Sequence, residues 1–391
     1  GIPVRLRERR HQALVEGLER LRALFREAVR QGHLARREAD ERASRVAGTL
    51  GYGGFGTVDV VLEAVRDAPE RKREALREAE EHVREECVLA VTGASATVGR
   101  VQDALQRPER VVGMHFVPPV AWGVLVEVVP GARTSRAAED AAAALARRLG
   151  KVPLRVRDRP GFLVYRLLLP YLNEALRLLE EGTAPERIDR VVREWGMQAG
   201  PLRLADELGI ARVARHSRLL AEELGERFRP PALLAQLAAP SRKGDPEPGV
   251  YRYDRGGEPR VSPRTAEALR AAGGAREGEV PEEEMRSRMV LAMVDEAARA
   301  LDERVVETAA EVDLAMLLGA GFPAAHGGPL FHADQLGAAA TIAALEELAA
   351  AHGERFEPAP LLRRLAVEGR GFHDAAASPS DAVLLDTPGA G

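Results

Sequence analysis

The chain has 391 residues, 45% hydrophobic and 30% charged, enough to bury a sizeable core and to divide into about two or three domains. Its net charge of -4 comes from 56 basic and 60 acidic residues spread along the whole length. No basic face points to nucleic acid or to a membrane surface, and no apolar run is long enough to span a bilayer. The single cysteine, Cys87, excludes an internal disulfide, fits a reducing, cytoplasmic compartment, and reads as a small buried hydrophobe.

"IPVRL" (2–6) is short, β-branched and closed by charge, and "RHQALVEGLERLRALFREAVRQGHL" after it has apolar positions at helical spacing; the pair predicts strand then helix. "GYGGFG" (51–56) precedes a strand instead of following one, so it reads as a loop and not as a nucleotide turn. "VDVVLEAV" (58–65) has the length and continuous apolarity of a buried strand, followed by a helix with Pro69 near its first turn. "CVLAVTG", "RVVGMHF" and "LVEVVP" continue the series. Strands alternating with amphipathic helices predict a partial Rossmann-like, doubly wound parallel sheet over residues 1–157, with ligands at the carboxyl ends of the strands.

From "RPGFLVYRLLLPYLNEALRLLEEG" onward the periodicity is helical. Arg166, Glu174 and Leu179 recur as Arg288, Glu296 and Leu301 at one constant offset, Asp189 pairs with Asp313, Gly200-Pro201 with Gly328-Pro329, and Asp206 and Gly209 with Asp334 and Gly337. This ordered series predicts two duplicated all-α modules, 158–255 and 282–376, packed on one another. Residues 256–281, within a Pro-, Gly- and charge-rich stretch, read as a linker, and 377–391 as a disordered tail.

In "GMHFVPPVAWGVLVEVV" one His and one Glu stand in an apolar stretch, twelve residues apart across a Pro-Pro turn. Strand, turn and returning strand would let His115 and Glu127 meet. Imidazole titrates near working pH, and a carboxylate on its second nitrogen fixes the tautomer. On the residues alone, a satisfied core histidine beside an edge glutamate is the blander reading. No His/Cys/Asp spacing suggests a metal site, and no Gly-x-Ser-x-Gly elbow is present.

With "VDVVLEAV", "VLAVTGAS", "RPERVVGMHFVPPV", "RPGFLVYRLLLPYLNEA", "GPLRLADELGI" and "GFPAAHGGPLFHADQLG" in view, the chain resembles the 3-hydroxyacyl-CoA dehydrogenases, particularly the dehydrogenase region of the multifunctional fatty-acid oxidation α subunit. The duplicated helical module points to the multifunctional form. The resemblance implies NAD-dependent oxidation of 3-hydroxyacyl-CoA in β-oxidation, with His115 the base and Glu127 its orienter. It implies that Glu8 takes the adenosine ribose hydroxyls, while Glu63 and Lys72 line the cofactor and substrate cleft. It also implies a thiolase partner, an oligomer, an upstream hydratase domain, and a first strand with its Gly-rich loop before Gly1. His326 matches a structural motif of the multifunctional subunit. Three substrate-facing positions depart from the family: Ala94 stands for a serine, with Ser95 beside it, and Pro118 and Tyr165 each stand for an asparagine. These departures leave two further readings open, a degenerate, non-catalytic scaffold and a relative acting on another hydroxy-acid substrate.

Overall fold

The computed structural model describes residues 1–65, 69–94, 97–120, 123–239, 249–253, 259–271 and 280–374. Ser95 and the expected disordered tail, 377–391, lie outside the described residues. The chain begins with β1 (Val4–Arg7), α1 (His11–Arg30), α2 (Arg36–Ser44) and β2 (Val46–Thr49). β1 and β2 pair in parallel as a two-stranded sheet of their own. β3 (Val60–Glu63), α3 (Pro69–Glu80), β4 (Val88–Val91), α4 (Val98–Gln102), β5 (Val111–Phe116), β6 (Leu125–Pro130), α5 (Arg136–Arg148) and β7 (Val152–Arg155) follow. They build a five-stranded sheet in the order β3-β4-β5-β6-β7. Every neighbouring pair in it is parallel except β5–β6. The exception has a simple cause: eight residues separate β5 from β6, too few for the crossover that a parallel pair requires.

Period-2 alternation decides what each face of this sheet buries. Val88, Ala90, Val112, Met114, Val126 and Val128 pack against Ala138, Ala142 and Ala146 of α5. The opposite face, with Leu89, Val91, Val111, Leu125 and Val129, belongs to the large core shared with the helices that follow. His115 and Glu127 occupy this second face, in step with Val111 and Val129.

The first helical module comprises α6 (Val164–Glu180), α7 (Pro185–Trp195), α8 (Pro201–Leu208), α9 (Ile210–Leu224) and α10 (Ala232–Leu237). The stretch read as a linker carries structure of its own. β8 (Tyr251–Arg252) pairs with β9 (Arg260–Val261), and α11 (Pro263–Ala271) buries Thr265 and Ala268. The second module then repeats the first with α12 (Glu282–Asp302), α13 (Ala309–Ala320), α14 (Pro329–Leu336), α15 (Ala338–His352) and α16 (Pro360–Glu368).

α6 and α12 run side by side in opposite directions, and the residues that announced the duplication hold them together. Arg166 on α6 donates to Glu296 (2.6 Å) and to Glu303 (2.7 and 2.9 Å). Its counterpart Arg288 on α12 donates to Glu174 (3.2 Å) and to Glu181 (2.7 and 2.8 Å). Arg227 and Arg355 close the two sets on Glu296 and Glu174, each at 2.6 Å. Both central guanidiniums are fully buried, which is tolerable because every carboxylate that shares the space is paired.

Candidate active site

Antiparallel register sets His115 directly opposite Glu127. The imidazole Nδ1 lies 2.5 Å from Glu127 Oε2, with the two residues 3% and 0% exposed. A carboxylate without solvent needs further donors, and the helical module supplies them. The backbone N–H groups of Leu163 and Val164, at the amino end of α6, donate to Glu127 Oε1 at 2.9 and 3.0 Å. The Arg-Pro-Gly-Phe turn ahead of α6 aims those two N–H groups: Gly161 and Phe162 both sit in left-handed backbone, φ 76° and 52°. Glycine adopts this freely, whereas phenylalanine does so at a cost of order 1–2 kcal/mol. The Phe162 ring lies 5.7 Å from the imidazole. The sequence reading missed Phe162, although the Pro-Gly pair at residues 160–161 marks the turn.

Tyr165, in the first turn of α6, lies between two histidines, stacked on His216 of α9 at 4.9 Å and tilted against His115 at 5.1 Å. His216 carried no signal in the sequence, standing on an Arg-rich helix. Ala94, just beyond β4, is 3% exposed and packs in the shared core. Pro118, two residues beyond β5, is joined to Pro119 by a cis peptide bond.

Glu63 and Lys72 form a second buried pair, 3.0 Å apart and 4% and 2% exposed. The ammonium also donates to the Thr92 carbonyl at 2.8 Å, and the Thr92 hydroxyl donates to the Glu63 carbonyl at 2.7 Å. These bonds tie the carboxyl ends of β3 and β4 to the first turns of α3. Burial raises the pKa of the Glu63 carboxyl above its ordinary value, against the pull of the Lys72 charge. By sequence a lysine among "ERKREALREAE" is a solvated helix charge; the structure instead sinks it against the sheet, because Glu63 and Thr92 meet its charge there. Glu8 stands apart, just past the carboxyl end of β1, its N–H donating to the Thr49 carbonyl at 3.1 Å. Among the described residues its carboxylate has no hydrogen bond or ion pair. The structure thus gathers His115, Glu127 and Tyr165 at one place and joins Glu63 to Lys72, while no hydrogen bond or ion pair among the described residues links Glu8 to either group. Among those residues no set of His, Cys, Asp or Glu side chains could hold a metal ion, and no helix is long and apolar enough to cross a membrane.

Residues 1–159 match the 3-hydroxyacyl-CoA dehydrogenase NAD binding domain, and residues 161–253 and 285–375 match the 3-hydroxyacyl-CoA dehydrogenase C-terminal domain. The chain belongs to the 3-hydroxyacyl-CoA dehydrogenase family. Among solved structures it is similar to 3-hydroxybutyryl-CoA dehydrogenase from Escherichia coli, with 23% identity over 94% of each chain and a TM-score of 0.76. It is similar to (S)-3-hydroxybutyryl-CoA dehydrogenase from Ralstonia eutropha, with 29% identity over 60% of this chain and 84% of that one and a TM-score of 0.56. The dehydrogenase part of multifunctional enzyme 1 from C. elegans shares 22% identity over 93% of this chain and 84% of that one, with a TM-score of 0.63. Membership makes the protein an NAD-dependent oxidoreductase. Its donors and acceptors fit that cofactor: a carboxylate without a partner among the described residues, at the end of β1, suits ribose hydroxyls, and the Glu63–Lys72 pair stands at the carboxyl end of the parallel strands, where such ligands bind.

Proposed function

We propose that this dehydrogenase oxidises the 3-hydroxyl of a 3-hydroxyacyl-CoA to the ketone in fatty-acid β-oxidation, in the cytoplasm and beside a thiolase partner. The observation that carries the reading is the buried His115–Glu127 contact, held at the amino end of α6. His115 takes the hydroxyl proton on its second ring nitrogen. Glu127 keeps the Nδ1 proton in place and stabilises the imidazolium that results, and the two α6 N–H groups keep the carboxylate from turning away. NAD, when bound, supplies the acceptor for the hydride leaving carbon 3. Glu8 holds the ribose, and Glu63 with Lys72 fixes the strand ends beneath the reacting groups.

Ala94, Pro118 and Tyr165 favour a second reading, a scaffold that has kept the fold and lost turnover. Each lost hydrogen bond to substrate costs on the order of 1–3 kcal/mol, which weakens a site without emptying it, so the enzyme reading is preferred. The test is reduction of NAD by (S)-3-hydroxybutyryl-CoA. His115→Gln abolishes it in protein that remains folded, and Ala94→Ser raises it. If the parent and Ala94→Ser both lack a His115-dependent activity, the scaffold reading stands.

A further inference from the structure

We propose that Gly319, in the second helical module, is a positioning residue for the His115–Glu127 pair; the proposal rests on reading that pair as the proton-transfer machinery. Gly319 lies inside α13, next to its last residue. Helix termination does not require it there, since Gly321 already supplies the left-handed cap with φ 66°. Glycine weakens a helix relative to alanine, so a close approach is the reason to look for. A Cβ at position 319 would lie 3.0 Å from Leu125 Cδ2 and 3.1 and 3.4 Å from the two Cγ atoms of Val164.

Both neighbours support Glu127. Leu125 precedes it by two residues on β6, pointing to the same face, and Val164 donates its N–H to Glu127 Oε1. α13 therefore presses on the strand that carries the carboxylate and on the helix end that holds it. The same module reaches the segment before α6 a second time, where the Arg157 N–H donates to the Val305 carbonyl at 2.8 Å and Arg157 pairs with Glu307 at 3.1 Å. The duplication makes the choice visible. Counting along the helices from the paired aspartates Asp189 and Asp313, Gly319 corresponds to Trp195, whose ring stacks on His326 at 4.3 Å. One copy has the largest side chain at this position, and the other, which faces the active-site strand, has none. The second module thus sets where the orienting carboxylate of the imidazole sits.

The experiment uses the full chain, with Gly319→Ala and Gly319→Val. Two quantities are read: steady-state kinetics with NAD and (S)-3-hydroxybutyryl-CoA, and the far-downfield proton resonance of His115 Nδ1. The expected result is a fall in kcat of about tenfold for alanine and about a hundredfold for valine, KM values unchanged, and a displaced Nδ1 resonance in protein that remains folded. Leu125→Val, which deletes the Cδ2 atom in the way, should restore much of the kcat of Gly319→Ala. An unmoved resonance with unmoved kcat overturns the proposal. So does a loss of kcat that matches the loss of folded protein and is not rescued by Leu125→Val. If the parent itself lacks His115-dependent turnover, the functional reading fails, while the resonance still decides whether Gly319 positions the pair.

Discussion

Replacing Glu127 by glutamine keeps the shape of the side chain and exchanges one acceptor oxygen for a donor. The carboxylate accepts at both ends, from Leu163 and Val164 at Oε1 and from His115 at Oε2. The amide satisfies two backbone N–H groups only with its oxygen turned toward α6, which leaves the NH2 facing Nδ1. The imidazole then accepts at Nδ1 and carries its proton on the other nitrogen, the one that must accept from substrate. The negative charge that stabilises imidazolium is gone as well. Positioned general-base catalysis contributes about 10²–10⁴-fold, so kcat should fall within that range, with KM for NAD unchanged because the pair shares no hydrogen bond or ion pair with Glu8, the residue proposed to hold the ribose. Stability should fall only by the difference between a charged and a neutral hydrogen bond, about 1 kcal/mol. NADH production against substrate concentration gives the first quantities and urea unfolding the last. Turnover equal to the parent's would show that the tautomer argument is wrong and that Glu127 serves only to cap α6.

The second buried pair makes a separate expectation. Lys72→Met strands the Glu63 carboxylate without its ammonium and should cost about 3–5 kcal/mol, visible as a lower urea midpoint; adding Glu63→Gln should return part of that loss, and a single variant as stable as the parent would refute the coupling. Asp206 offers a pH test: it accepts the N–H groups of Val250 and Tyr251 at 2.7 and 2.8 Å, and burial pushes its carboxyl up to about 6. The folded pKa lies above the unfolded value, so ionising the native carboxyl costs stability as pH rises from about 4 through 6. An amide at this position does not titrate, so the melting temperature of Asp206→Asn relative to the parent should climb between about pH 4 and pH 7 and then level off; a pH-independent difference would rule the penalty out.

How far the sequence could be read follows the physics of each segment. Continuous apolar runs such as Val88–Val91 announce buried strands because both of their faces are covered. β2 and β7 passed unseen: Val46–Thr49 has little apolar surface and Val152–Arg155 contains a proline, since a strand at the margin of a sheet needs less burial to hold it. The His115–Glu127 encounter was legible because alternation and a Pro-Pro turn fix a short hairpin. The acceptance of Glu127 by α6 was not, because it depends on backbone N–H groups that every residue other than proline carries and on two left-handed residues that aim them. Lys72 shows the limit of charge patterning: its helix is a solvated one by composition, and only the arrival of Glu63 and Thr92 from the sheet makes burial of this one lysine tolerable.

The two copies of the helical module meet the same electrostatic demand in different ways. The amino end of a helix carries exposed N–H groups and a partial positive charge that favours an anion within the first turn. α12 answers from its own sequence, with Glu282, Glu283 and Glu284 in its first turn. α6 has no acidic residue in its first turn, and the negative charge it meets is Glu127, brought by a strand of the α/β domain. A glutamate placed in the first turn of α6 would repel that carboxylate and compete for its N–H groups. At the constant offset of the repeat, Glu282, Glu283 and Glu284 stand where the first copy has Pro160, Gly161 and Phe162, the turn ahead of α6; the first copy thus leaves its helix end open for the carboxylate that orients His115, while the second closes its own. The duplicated frame is held by crossed arginines common to both copies, and the amino ends of its paired long helices are one of the places where the copies differ.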